Sequence, residues 1–432
     1  MKTSSKTLWV AMAAIGVALS ACGGGGGDST TSVQNSSINW PATPSWPITP
    51  NPPSPPSPVA DNNTVQIVVD TSMGSINMPA VSIVLCGPGQ QDRSQCETID
   101  RMVLDTGSVG VRVMASAVST KLKSQLLLQT TPVANQTSPL PLAQCAQFAS
   151  GFTWGSIRRA DVTIGSKKAS NLPIELIGDG SYTTPSNCIS NGGPDLSTAR
   201  ALGANGIIGI GHSVYDYPAA AEAVLAANYY ACGSTNSCVG TTVPLNRQVM
   251  NPVAAFATNN NGTIIRLPAL PAGGHASVTG ELVFGVGTQS NNMLPATANV
   301  LAVDQYGYFT TQYQGRVITT SAIDSGTNGF GFDDATIPTI GEDAYQWYAP
   351  SSALSLSATM EATSGAGKPI MVPFSIDNIQ TVTANNYAAY DNIGAPLSRW
   401  FLWGLPFFYG RNVYTVLEGA TVGTQTGPFV AF

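Results

Sequence analysis

Met102-Val103-Leu104-Asp105-Thr106-Gly107-Ser108 runs an apolar strand into an acidic turn, and 219 residues further on Ala322-Ile323-Asp324-Ser325-Gly326-Thr327 does the same. A single Asp-Thr-Gly is ordinary turn chemistry after a strand, because Asp, Ser, Thr and Gly all stabilise chain reversals. Two copies, each behind an apolar run, carry much more information than one. Each copy is also followed downstream by two hydrophobic residues and a glycine: Ile207-Ile208-Gly209 after the first, Leu402-Trp403-Gly404 after the second. The pattern predicts two β-rich halves with the same signature.

Outward from the motifs, the segments Thr64 to Val69, Val81 to Leu85, Arg101 to Leu104, Asp161 to Ile164 and Ile174 to Ile177 are β-rich runs between turn residues and read as strands. Pro218 to Ala231, rich in alanine with Leu225, Tyr229 and Tyr230, reads as a short helical insertion in the first half. Composition agrees with an all-β chain. The 44 Gly and 30 Pro among 432 residues argue against a helix bundle, and 43% hydrophobic residues supply a large core.

Several function classes are disfavoured. A net charge of −6 gives no basic footprint for nucleic acid. His212 and His275 are the only histidines and form no His-Glu-x-x-His pattern, so no metal site is expected. Neither a phosphate-binding Gly-x-x-x-x-Gly-Lys-Ser/Thr loop nor a Gly-x-Ser-x-Gly elbow occurs, which speaks against nucleotide binding and serine hydrolysis. No cofactor is expected.

At the N-terminus, Lys2 and Lys6 precede the apolar run Leu8 to Leu19, so residues 1–21 read as a secretory signal. Leu19-Ser20-Ala21-Cys22 resembles a bacterial lipobox, which implies acylation of Cys22 and attachment to a lipid bilayer. Gly23, rather than Asp, after that cysteine implies an outer-membrane lipoprotein, on the periplasmic face or the cell surface. Residues 22–62, Gly/Ser-rich and then Pro-rich with Trp40 and Trp46, read as a tether. An exported chain sits where disulfides form. Short loops favour Cys86–Cys96 and Cys232–Cys238, leaving Cys145–Cys188, although six cysteines allow fifteen connectivities.

With its doubled Asp-Thr/Ser-Gly loops and hydrophobic-hydrophobic-Gly segments, the chain resembles the pepsin-like aspartic proteases, bilobal β enzymes. It is also similar to bacterial lipoprotein families of no assigned activity that carry the paired motifs. Gly280 to Gly285 looks like the strand that ends the first lobe, Tyr308 to Thr311 like the start of the second, and Leu402 to Val416 like the closing strands. The resemblance covers roughly residues 63 to 432. It implies an N-terminal lobe over 63–290 and a C-terminal lobe over 291–432.

The chemistry that follows is peptide-bond hydrolysis. Two adjacent carboxyls share one proton, so the ionised member of Asp105 and Asp324 activates water while the protonated member donates to the scissile carbonyl. Gly107 and Gly326 offer backbone N–H donors close to the carboxylates. The resemblance implies that Thr106 and Ser325 grip between lobes. Ser108 and Thr327 are expected to bond the outer carboxylate oxygens and keep the dyad acidic, giving an acidic pH optimum. The expected substrate is a peptide or unfolded polypeptide. Two positions depart from the family: Phe148 stands where a flap tyrosine is expected and Arg112 where its tryptophan partner is expected, and a guanidinium over a phenyl ring would replace the lost bond by about 0.5 to 2 kcal/mol of cation–π attraction. Asp333 and Asp334 read as an acidic turn or as a bias toward basic side chains. The alternative function is a non-catalytic envelope lipoprotein that binds a peptide or protein partner in the same cleft.

Overall fold

The computed structural model describes residues 62–432 except 135, 235, 342–345 and 366. The stretches through residue 61 read as a signal and a tether, with Cys22, Trp40 and Trp46, lie outside the described residues. What is described is mainly β, organised in one seventeen-stranded and one seven-stranded sheet with two small two-stranded additions.

In the large sheet Thr64–Val69 runs antiparallel to Val278–Phe284, from Thr64 opposite Val283 to Val69 opposite Val278. Its apolar alternation explains the pairing: Ile67 and Val69 are buried and Gln66 is exposed, the period of a half-buried strand. Val278–Phe284 then pairs with Gly262–Arg266, which takes Asn412–Val416 as its other neighbour. Phe429–Ala431 and Val300–Ala302 complete that edge. Residue 290 is therefore no boundary in hydrogen bonding. The Gly262–Arg266 strand has an open edge until the C-terminal strand covers it, and an unpaired edge is costly to leave exposed.

The smaller sheet holds Phe309–Tyr313, Arg316–Ile323, Phe330–Phe332, Leu354–Glu361, Ile370–Ile376, Gly394–Pro396 and Phe401–Trp403. Its core is aromatic. Phe332 stacks on Phe401 at 5.2 Å, and Phe401 lies 4.7 Å from Trp403, whose indole N–H donates to Thr311 Oγ1 at 3.3 Å. Such ring pairs contribute about 0.5–1.5 kcal/mol each beyond their buried area.

The helical insertion is not there. Pro218–Ala221 forms one 3-10 turn, and Tyr229–Ser234 is a strand. Alanine's helix propensity loses to tertiary pairing: Tyr229 and Tyr230 lie opposite Gln144 and Ala143, and Cys232 faces Cys238 across a hairpin closed by their disulfide. The other bridges are Cys86–Cys96 and Cys145–Cys188. The five sequence-read strands all fall within observed strands.

Candidate active site

Both acidic turns are built the same way. Glu97–Asp105 ends on Asp105 and is flanked by a parallel strand, Gly206–Ile210, in register Ile207 to Val103 and Gly209 to Asp105. In the other sheet, Arg316–Ile323 leads to Asp324 and is flanked in parallel by Phe401–Trp403, Ala322 opposite Leu402. The glycine that ends each hydrophobic pair is a steric requirement. A Cβ on Gly209 would sit 2.6 Å from Val109 N, and one on Gly404 would sit 2.1 Å from Gly329 O.

Thr106 and Ser325 lock the two turns together reciprocally. Ser325 N–H donates to Thr106 Oγ1 at 3.0 Å and Thr106 N–H donates to Ser325 Oγ at 3.0 Å. The Thr106 hydroxyl then donates to Ile323 O at 3.0 Å, and the Ser325 hydroxyl to Leu104 O at 2.7 Å. This buried exchange brings the carboxyls of Asp105 and Asp324 within hydrogen-bonding reach of each other. Gly107 N–H donates to Asp105 Oδ1 and Gly326 N–H to Asp324 Oδ1, both at 2.8 Å. Ser108 donates to Asp105 Oδ2, and Thr327 donates to Asp324 Oδ2 at 2.6 Å.

The expectation of an acidic dyad needs correcting. Hydrogen bonds from Ser108 and Gly107 do favour ionised Asp105, but burial outweighs them and pushes its pKa up. Asp324 is pushed well above the usual carboxylate range by burial and by the adjacent Asp105 charge. Neither side chain is exposed. Two carboxyls in contact and out of water hold one proton between them.

Over the first turn lies the hairpin Leu140–Phe148 and Gly151–Ile164, with Phe148 at its tip opposite Gly151. Arg112 lies 5.8 Å from the Phe148 ring centroid, but its main engagement is ionic. Its Nη2 meets Asp216 Oδ2 at 3.0 Å and its Nε meets Glu175 Oε2 at 3.1 Å, all three side chains being buried. Asp216 is further held by the Tyr229 hydroxyl at 2.7 Å and by Gln144, and Glu175 by Thr153 Oγ1 at 3.0 Å. Burial works against the Arg112 charge, yet Asp216 and Glu175 together hold its pKa above the ordinary value. Glu175, with Oε1 buried and unbonded, is pushed by burial up to about 7. Sequence reading missed Glu175, Asp216, Tyr229 and Gln144. The available signal was Arg112 itself, set in the apolar run Val111-Arg112-Val113, since a buried guanidinium requires acidic partners.

A cavity of about 60 Å³ adjoins the first turn, lined by Gly107, Ser108, Arg112, Phe148, Asp216 and Tyr308 among others. The Tyr308 hydroxyl is buried there without a hydrogen-bond partner. Asp334 accepts from Tyr313 at 2.7 Å and from Thr336 at 2.6 Å, and Asp333 pairs with Arg316 at 3.0 Å, so both acids close a turn. Buried His212 bonds Val416 O at 3.0 Å through Nδ1, and burial lowers its pKa. Among the described residues no cluster of His, Cys, Asp or Glu is arranged to hold a metal.

A search of curated proteins finds no match to this sequence. Residues 59–432, which contain both acidic turns, the hairpin and the three disulfides of the described residues, match the family described as Protein of unknown function (DUF3443), and the chain belongs to that family.

Proposed function

We propose that this chain is an aspartic endopeptidase of pepsin-like, bilobal architecture. The observation that carries the reading is the reciprocal Thr106–Ser325 lock, which holds two strand-end carboxyls together with matching backbone and hydroxyl donors. An extended peptide lies across the dyad. The ionised carboxylate takes a proton from a water molecule, the water oxygen attacks the scissile carbonyl carbon, and the shared carboxyl proton passes to the carbonyl oxygen. Collapse of the tetrahedral species releases the amine, which takes its proton from the dyad. The three disulfides and the Leu19-Ser20-Ala21-Cys22 sequence support an exported lipoprotein acting in the cell envelope, anchored to the outer membrane through Cys22.

The test is cleavage of a mixed peptide library by the full chain across about pH 3 to 8, read by mass spectrometry, with Asp105→Asn, Asp324→Asn and a statine-type inhibitor as controls. Cleavage lost in both variants and with the inhibitor is the required result. Unchanged turnover in either variant removes the reading. A second reading, peptide or partner capture without turnover, is favoured by two observations: Phe148 leaves the hairpin tip without a phenol, and both carboxyls are fully covered. It predicts binding that survives Asp105→Asn with no products at any pH.

A further inference from the structure

A cavity of about 500 Å³ is lined by Arg101 and Val103 of the strand that ends on Asp105, and Phe148 at the hairpin tip lines both it and the small cavity. Its walls are apolar, with Met78, Val103 and Ile207 prominent, but Arg101 and Arg200 also line it. Arg101 sits in a bulge of Glu97–Asp105: Val81 pairs with Met102 and Ile83 with Ile99, leaving two residues unmatched. There its φ is +55°, a left-handed backbone rarely adopted by a long side chain. Bulges of this kind re-aim side chains. The guanidinium so placed has its Nε buried without a hydrogen-bond partner, and neither arginine forms an ion pair among the described residues. The one acid in the lining, Asp195, is exposed and uses Oδ1 to accept Ser197 N–H at 2.8 Å.

An apolar cavity with two uncommitted guanidinium groups is complementary to a carboxylate carried on an apolar chain. Its placement says what carries the carboxylate. Val103 is two residues before Asp105 on one strand, a distance of about 7 Å, and an extended peptide repeats its side chains on one face at the same spacing. We propose that the cavity is a specificity site for an acidic side chain of the peptide, one or two residues from the bond that meets the dyad. This rests on the endopeptidase reading and names its substrate class: extended polypeptide with a Glu or Asp near the cleavage point, flanked by apolar residues.

The test uses the full chain and fluorescein-labelled octapeptides, identical except for one Glu or Gln stepped through each position. Anisotropy reports binding and mass spectrometry reports cleavage, at low and high salt near pH 6. At one position Glu binds about 10- to 100-fold tighter than Gln, and salt erodes the difference. Arg101→Gln with Arg200→Gln abolishes that preference, Arg101→Lys retains part of it, and Arg200→Gln alone, on an exposed helix residue, reduces it without altering the melting temperature. Equal affinity for Glu and Gln peptides overturns the inference, as does a preference that survives the double variant. Dodecanoate is the competing source of a carboxylate: if it binds through the two arginines while the peptides show no Glu preference, the site belongs to a fatty acid and the inference falls. The two readings fail separately. Cleavage with no acidic preference keeps the endopeptidase and removes the specificity site, whereas a Glu preference in binding without products keeps the site and removes the enzyme.

Discussion

Glu175 has one oxygen against Arg112 and Thr153 and the other buried without a partner, so its proton is held in the folded state up to about pH 7. Its ordinary value is 4.5. A raised acid pKa means that stability is fully present below the unfolded value and is lost as pH rises toward and through the folded one, here across about pH 4.5 to 7. The slope amounts to about 3 kcal/mol over that window. Urea midpoints measured along it should fall for the native chain, and Glu175→Gln should flatten the decline. The dyad follows the same sign for activity. Because burial raises both Asp105 and Asp324, the pH range in which the pair holds a single proton moves upward. Cleavage should therefore persist above the ordinary carboxylate range, declining at the acid end as the ionised member is protonated and at the alkaline end as the pair loses its shared proton. A rate profile that peaks below pH 3 would contradict this. The Thr106 hydroxyl both donates and accepts across the lock, as the Ser325 hydroxyl does, so Thr106→Val should cost about 1–3 kcal/mol for each buried backbone group it leaves unbonded, Ser325 N–H and Ile323 O. Equilibrium unfolding measures that loss.

The hairpin Leu140–Phe148 and Gly151–Ile164 is held from two directions, by the Arg112 cluster beneath its tip and by the Cys145–Cys188 bridge to the helix Ser186–Gly192. That bridge spans 43 residues. Replacing both cysteines by serine should lower stability by about 2–4 kcal/mol, with amide exchange of the hairpin rising before that of Thr64–Val69. The motif strands, and of the hairpin only the end Asp161 to Ile164, were legible in sequence because apolar runs there end in turn residues, as at Leu104-Asp105 and Ile323-Asp324. Tyr229–Ser234 was not, because alanine content reads locally as helix and the strand exists only through its partners at Leu142, Ala143 and Gln144. The acids of the Arg112 cluster were hidden for the same reason. Nothing in the spacing of Arg112, Glu175 and Asp216 marks them as neighbours, whereas burial of an arginine between Val111 and Val113 demands that such neighbours exist. Arg101 was readable as a strand residue but not as a bulge, which depends on the register of Ala80–Cys86 against it.

At the scale of the molecule, sequence symmetry and hydrogen-bond topology divide the chain differently. The two acidic turns suggest halves that part near residue 290, yet the sheet that holds the first turn is completed by Val300–Ala302, Asn412–Val416 and Phe429–Ala431. Asn412–Val416 lies between Gly262–Arg266 and Phe429–Ala431, so removing everything after 290 opens the long edge of Gly262–Arg266. The same cut removes Ser325, leaving Thr106 N–H without its acceptor in what becomes an exposed turn. A fragment of residues 63–290 should therefore associate through that edge rather than persist as a folded monomer. Adding residues 291–432 in trans should recover near-ultraviolet dichroism and the native urea transition, because the second fragment supplies the missing strand and the missing half of the lock. Should the first fragment prove monomeric and cooperatively folded by sedimentation and dichroism, the shared edge is dispensable, and the Thr106–Ser325 contact would have to be read as a docking interface between two independent domains.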